Sequence, residues 1–148
     1  MPKKASNSFE ICARGIIIRG GKILLCKLKI KRNYFFPGGH VEFRERADSA
    51  LKRELKEEIG VSVKKSQFIG TNENLYRQRR KILHEINIVF KVTLSKENLE
   101  VHEDHLEFKW VDIKDLAKTE VYPTAIRNAV LKWLNDKKPF WISQGFKK

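Results

Sequence analysis

Two rhythms of apolar residues divide the chain. Ile11 to Arg19 is rich in β-branched residues, Gly20-Gly21 is a turn dipeptide, and Lys22 to Lys29 alternates around Ile23, Leu25 and Leu28; this stretch predicts a β-hairpin. Val61 to Phe68, Ile82 to Leu94 and Phe108 to Val111 are further strand candidates, the second alternating through Ile86, Ile88, Phe90 and Val92. A helical rhythm takes over from Ala47. At about 100° per residue, Leu51, Leu55 and Ile59 share one stripe and Glu54, Glu57 and Glu58 the next, with Gly60 placed to end the helix in a left-handed cap. Pro123 opens a second helix with Ile126, Val130, Leu131 and Leu134 on its apolar face.

The intervening segments read differently. Lys29 to Asn33 is a polar loop leading to Tyr34, Phe35, Phe36 and Pro37-Gly38-Gly39, where the glycines permit close backbone approach to a metal or phosphate. Thr71 to Lys81 is polar enough to predict a loop or hairpin end. The tail Lys138 to Lys148 mixes Phe140, Trp141 and Phe146 with lysines, which predicts docking onto the rest of the chain. No repeat or low-complexity linker interrupts the pattern, so the expectation is one domain over residues 1–148, with a core of about 9–136 and a basic, aromatic tail at 138–148. Hairpin, helix, strands and helix in that order give an α+β or layered α/β/α architecture.

Composition narrows the setting. An apolar content of 41% is globular, and no run approaches the roughly 18 uninterrupted apolar residues of a membrane span. The N-terminus has no apolar signal core, no lipidation signal or basic amphipathic anchor is visible, and a cytoplasmic protein without a membrane partner is expected. Cys12 and Cys26 lie in apolar runs and read as buried free thiols, while His40, His84, His102 and His105 lack zinc-ligand spacing. Lys and Arg number 31 against 18 acids, a formal net charge of +13. That excess attracts nucleotides, nucleic acid or anionic lipid without choosing among them, and its spread along the chain suits diffuse steering of phosphates.

The acidic stripe is the sharpest chemical feature. Glu54 and Glu58 form a like-charge i,i+4 pair with Glu57 between them, and each such pair disfavours the helix by a few tenths of a kcal/mol. A hard divalent cation such as Mg²⁺, shared between carboxylates and substrate phosphates, would turn the repulsion into binding energy.

The spacing is more specific still. Gly39, Glu45, Arg53, Glu54, Leu55, Glu57, Glu58, Gly60 and Val61 fit G-x5-E-x7-R-E-U-x-E-E-x-G-U, with U a bulky aliphatic residue. This is the Nudix box, and the chain resembles a MutT-like Nudix hydrolase, more loosely as far as about residue 135. The resemblance implies an α/β/α sandwich with a mixed sheet between helices, and hydrolysis of a pyrophosphate bond in a nucleoside diphosphate linked to another moiety: a nucleoside triphosphate, a dinucleoside polyphosphate or a nucleotide sugar. It further implies Mg²⁺, with Mn²⁺ as a substitute, held by Glu54, Glu57, Glu58 and the carbonyl of Gly38. Glu57 is ligand or general base, and Glu45 and Arg53 are an ion pair fixing loop to helix.

An acid outside the box serves some relatives as base or ligand. Asp104 in DHLEFKW, which looks like the family's EHxExxW, and Glu85 are the rival candidates, with Glu107 behind them. Tyr34 and Phe35 are candidates to stack on a base. Tyr76 lies about fifteen residues beyond the box, where ADP-ribose hydrolases of the family often carry Pro, and is closer to the dinucleoside polyphosphate hydrolases; the coenzyme A signature is not visible. The competing readings are an RNA 5′-end pyrophosphohydrolase and a non-catalytic nucleotide or RNA-binding module. A monomer or homodimer is expected.

Overall fold

In the computed structural model, which describes residues 7–145, β1 (Ser8–Arg19) runs through the centre of a mixed seven-stranded sheet. Its far end turns at Gly20-Gly21, both at positive φ, into β2 (Lys22–Leu28), the expected hairpin. β2 pairs antiparallel with the edge strand β6 (Leu106–Asp112). On its other side β1 pairs parallel with β5 (Lys81–Leu94), which pairs antiparallel with β4 (Val63–Gln78); β4 in turn pairs parallel with the edge strand β7 (Phe140–Gln144). The short β3 (Gly38–His40) lies antiparallel against β1 at Cys12 to Arg14.

Two helices cover opposite faces, the mixed-sheet α+β sandwich expected from the sequence. α1 (Ala47–Ile59) buries Leu51, Leu55 and Ile59 against Ala13, Ile17, Phe90 and Val92. α2 (Thr124–Asp136) buries Ile126, Val130 and Trp133 against Ile16, Ile23, Leu25, Ile69 and Val89, with Leu131 and Leu134 packed at the edge. Odd-numbered residues of β1 face α1 and even-numbered ones face α2, as strand geometry requires. A 3-10 turn at Ile113–Lys118 closes the α2 side through the buried Leu116.

Several boundaries depart from the sequence expectation. The polar stretch Thr71 to Lys81 is a strand, not a loop: β4 continues to Gln78, only Arg79 and Arg80 form the turn, and Lys81 opens β5. Its alternation is hidden because the inward positions Asn72 and Asn74 are themselves polar, although both are buried. Val61 and Ser62 precede β4, β6 extends to both sides of Phe108 to Val111, and Pro123 caps α2 from outside. In the tail, Phe140 docks over Gly70 while Trp141 points outward; Phe146 lies outside the described residues. Among the described residues no helix is long and apolar enough to cross a membrane.

Leu55 is fully buried at the centre of the α1 contact. Leu55→Ala is expected to destabilise the fold by about 2–5 kcal/mol, measured as a fall in the midpoint of urea unfolding with an unchanged slope.

Candidate active site

α1 carries the site because its apolar stripe sets the rotation of the whole helix. Burying Leu51, Leu55 and Ile59 carries Glu58, which lies beside them, to 8% exposure, and leaves Glu57 outside with a side chain 53% exposed. Glu54 falls between, 18% exposed, against the backbone of Gly39. A Cβ at Gly39 would occupy the space of the Glu54 carboxyl group, so the missing side chain is what admits the carboxylate. Gly38 has a different requirement: its φ of 139° and its approach to the carbonyl of Ala13 exclude any side chain.

Arg53 locks the loop onto the helix. Its Nε donates to Glu45 Oε2 at 2.9 Å and its Nη2 to Glu45 Oε1 at 3.0 Å, a two-pronged pair, and Nη2 also donates to the carbonyl of His40 at 3.0 Å. The remaining nitrogen, Nη1, donates to Glu54 Oε1 at 3.0 Å and lies 3.5 Å from Glu57 Oε2. The guanidinium holds the Glu45 carboxyl below the usual carboxylate range, and the Glu42 N–H adds a bond to the same group. At Gly60, φ of 66° closes the helix through its N–H to Lys56, and a Cβ there would meet the His102 ring at 2.8 Å.

Glu58 is the most perturbed acid of the site. Burial, then the charge of Glu54, with smaller contributions from the hydrogen bond to Glu54 and the charge of Glu103, push its pKa up to about 8 against the opposing charge of Arg14. Its Oε2 is buried and has no hydrogen-bond partner. Among the described residues no three His, Cys, Asp or Glu side chains converge as a ligating group. Two carboxyl groups do converge, however, and once Glu58 is ionised an acceptor-only oxygen left bare beside a second carboxylate suits a hard cation.

Gly38, Gly39, Glu45, Arg53, Glu54, Glu57 and Glu58 thus lie at one place. The outer acids do not all join them. Asp104 is exposed in the turn before β6, and Glu107 faces Lys27 at 3.8 Å. Glu103, which the sequence reading passed over, is the residue of that segment whose charge bears on Glu58; the His102 N–H donates to the Glu58 carbonyl at 2.9 Å and holds the segment there. The sequence signal for it was the acidic pair Glu103-Asp104, of which the sequence reading named Asp104.

Glu85 belongs to a second polar cluster on the α2 side of the sheet. Its Oε1 accepts from Asn87 Nδ2 at 2.6 Å, Asn87 donates also to Asn72 Oδ1 at 3.3 Å, and Arg14 Nε donates to Asn87 Oδ1 at 3.2 Å. Tyr76 is on the same face, its phenol pushed up to about 12 by burial and by the charges of Glu85 and Glu10, and its ring stands edge-on to Tyr122 at 6.4 Å. Phe35 lies 5.7 Å from the Arg14 guanidinium and Tyr34 5.8 Å from Lys27 Nζ, both half-buried. Arg14 was also missed; a cation interrupting the apolar run around Ile11 to Ile18 was its signal. Cys12 and Cys26 are free and buried, their thiols pushed up to about 11 and about 12, and each histidine lies against a carboxylate.

A helix-borne acid cluster, locked by an Arg–Glu pair under a glycine loop, defines a class that comparison with known proteins identifies. The NUDIX domain family model matches residues 11–134. The ADP-ribose pyrophosphatase of Methanocaldococcus jannaschii is 32% identical over 128 residues, spanning 84% of this chain and 75% of that protein. An 8-oxo-dGTP diphosphatase from Buchnera aphidicola is 31% identical over 106 residues, spanning 69% of this chain and 76% of its own length. The crystal structure of a MutT protein from Bacillus halodurans shares the fold with a TM-score of 0.78 at 18% identity, covering 93% of this chain and 90% of that one. The chain belongs to the NUDIX family and is a pyrophosphohydrolase.

The position of Glu58 generates a pH dependence. Its folded pKa lies above the unfolded carboxylate value, so the stability it contributes is full below about pH 4.5 and is lost as pH rises through about 8. In chelator, Glu58→Gln is therefore expected to melt higher than the parent at pH 8.5, by on the order of 2–5 kcal/mol, with the advantage shrinking steadily toward pH 5. Differential scanning calorimetry across that range checks it.

Proposed function

We propose that the chain hydrolyses the pyrophosphate link of a nucleoside diphosphate joined to another moiety, as in nucleoside triphosphates, dinucleoside polyphosphates or nucleotide sugars, with Mg²⁺, or Mn²⁺ in its place, as cofactor. The observation that carries this reading is the buried, unpartnered Glu58 Oε2 beside the Glu54 carboxylate. Glu54 and Glu58 would hold the cation with the Gly38 carbonyl. When bound, the cation supplies neutralisation of phosphate charge and a lowered pKa for water.

The chain's own residues do the rest. Arg53 orients Glu54 by a 3.0 Å hydrogen bond while Glu45 holds Arg53, so the carboxylate is aimed before any substrate arrives. Glu57, the most exposed of the three, is free to reach the cation or to take the proton of the attacking water. Glu103 is the acid outside the box best placed to assist, ahead of Asp104, Glu85 and Glu107. Arg14, whose charge already acts on Glu58, offers a cation to a phosphate oxygen.

Phosphorylated RNA ends are a second substrate reading, favoured by the basic tip Arg77 to Lys81 between β4 and β5. A screen of free nucleotides, sugar nucleotides, dinucleoside polyphosphates and 5′-triphosphorylated RNA at matched salt, with product identification, separates the two. Turnover is expected to vanish in EDTA and return with Mg²⁺ or Mn²⁺. Glu54→Gln and Glu58→Gln are each expected to lower kcat at least about 100-fold with the fold intact by circular dichroism; near-parental kcat in both would reject the assignment.

A further inference from the structure

Between β5 and β6 the chain runs as an irregular strap, residues 95–105, across the C-terminal end of α1. Its start is held by the Ser95 N–H, which donates to the Ser62 carbonyl at 2.9 Å, and by Arg19, which donates to the carbonyls of Lys96 and Glu97. Its far end is fixed where the Lys29 N–H donates to the His105 carbonyl at 3.0 Å. In the middle, the N–H groups of Glu100 and His102 donate to the carbonyls of Ile59 and Glu58 at 3.0 and 2.9 Å. A helix leaves the carbonyls of its last turn without partners of its own, so the strap completes the end of α1.

Backbone bonds of this kind are blind to sequence. After a slip of one residue the N–H groups of Val101 and Glu103 would serve the same carbonyls, and Glu103 would move by about 3.3 Å, the rise of one extended residue. The His102 side chain is not interchangeable in that way. Its ring lies over Gly60, where a Cβ would stand 2.8 Å from Cε1 and 2.9 Å from Nε2, closer than side-chain atoms pack. The missing side chain of Gly60 is thus a notch that the ring fills, and neither Val101 nor Glu103 has a ring to put there. His102 Nε2 lies 3.5 Å from Glu100 Oε2, but that carboxylate side chain is 83% exposed, so shape rather than charge holds the ring. Leu99 packs at the edge of the α1 core, four residues from Glu103; His102 is adjacent to it.

Resting on the nucleotide-hydrolase reading, in which Glu103 assists the helix acids, we propose that His102 is a positioning residue: its ring, keyed into the notch over Gly60, sets the register of the strap and with it the place of Glu103 beside Glu58. The glycine that ends α1 then has two uses, the left-handed cap at φ 66° and a seat for a ring carried by a distant part of the chain. His102 touches neither phosphate nor cation and acts through Glu103. A misplacement of about 1 Å at a reacting centre costs on the order of 100-fold in rate, so a strap free to slide by one residue would keep the fold and lose the acid.

Steady-state kinetics of the full chain in Mg²⁺, on the faster of GTP and ADP-ribose, test this through a double-mutant cycle. His102→Ala and Glu103→Gln are each expected to lower kcat by about 10- to 100-fold with KM little changed, and the double variant to fall no lower than Glu103→Gln alone. His102→Phe, which keeps a ring on the glycine, should restore most of the lost kcat. Circular dichroism melts check folding, and Gly60→Asn, which suits the left-handed turn but fills the notch, takes the place of His102→Ala in the cycle if that variant does not fold. A parental kcat in His102→Ala or in Glu103→Gln, losses that multiply in the double variant, or no recovery with Phe would overturn the inference while leaving the hydrolase reading in place. A parent that cleaves no nucleotide class would sink that reading instead.

Discussion

Glu54 and Glu58 stand one helical turn apart with their carboxyl groups close enough to share a hydrogen bond, where burial removes the water that would screen their repulsion. The conflict cannot relax by turning the helix, because Leu51, Leu55 and Ile59 fix its rotation against the sheet. Nor does Arg53 resolve it: that guanidinium reaches Glu54 but spends its two best bonds on Glu45, and Glu58 is left with Arg14 as its opposing charge. A pair of apolar residues in these places would make a more stable protein, as replacements of buried ionic groups elsewhere have done. The pair is thus a place where the chain keeps two acids together at a cost in stability.

The sheet separates two tasks by strand parity. Residues of β1 facing α1 are small or apolar, Ala13, Gly15 and Ile17, because the helix must approach closely enough to carry Glu54 under Gly39. Residues facing the other side toward the open end are Glu10, Cys12 and Arg14, continued by Glu85 and Asn87 on β5 and by Asn72 and Asn74 on β4. α2 covers only the other end of that face, where Ile16, Val89 and Ile69 supply the apolar contact. The polar half is thus a consequence of where α2 stops.

This division also explains what the sequence made legible. The acid cluster could be read because its spacing along one helix is short range, and the hairpin, β5 and both helices because their apolar positions repeat. β4 could not: Asn72 and Asn74 are buried yet polar, so a period-two strand looked like a loop. The partners of Glu58 from elsewhere, Arg14 and Glu103, come together through strand register and the hydrogen bond from His102 to the helix end, neither of which leaves a local pattern. Tyr76 was singled out from the sequence, but its neighbours on the same face only emerge once β4 and β5 are paired.

The relatives add one further step. An ADP-ribose pyrophosphatase, a nucleoside triphosphatase and an 8-oxo-dGTP diphosphatase each match this chain at 27–32% identity, although their names specify different substrates. If the helix acids chose the substrate, such a spread of chemistry within one family would need different helices. On the function proposed above, the acids of α1 meet only the phosphoanhydride link and so are indifferent to what lies beyond it. Choice must then come from side chains that a nucleotide meets away from the helix. Among the described residues the sheet face from Arg14 to Tyr76 is where buried polar groups are concentrated, and Asn74 Nδ2 is left there without a hydrogen-bond partner.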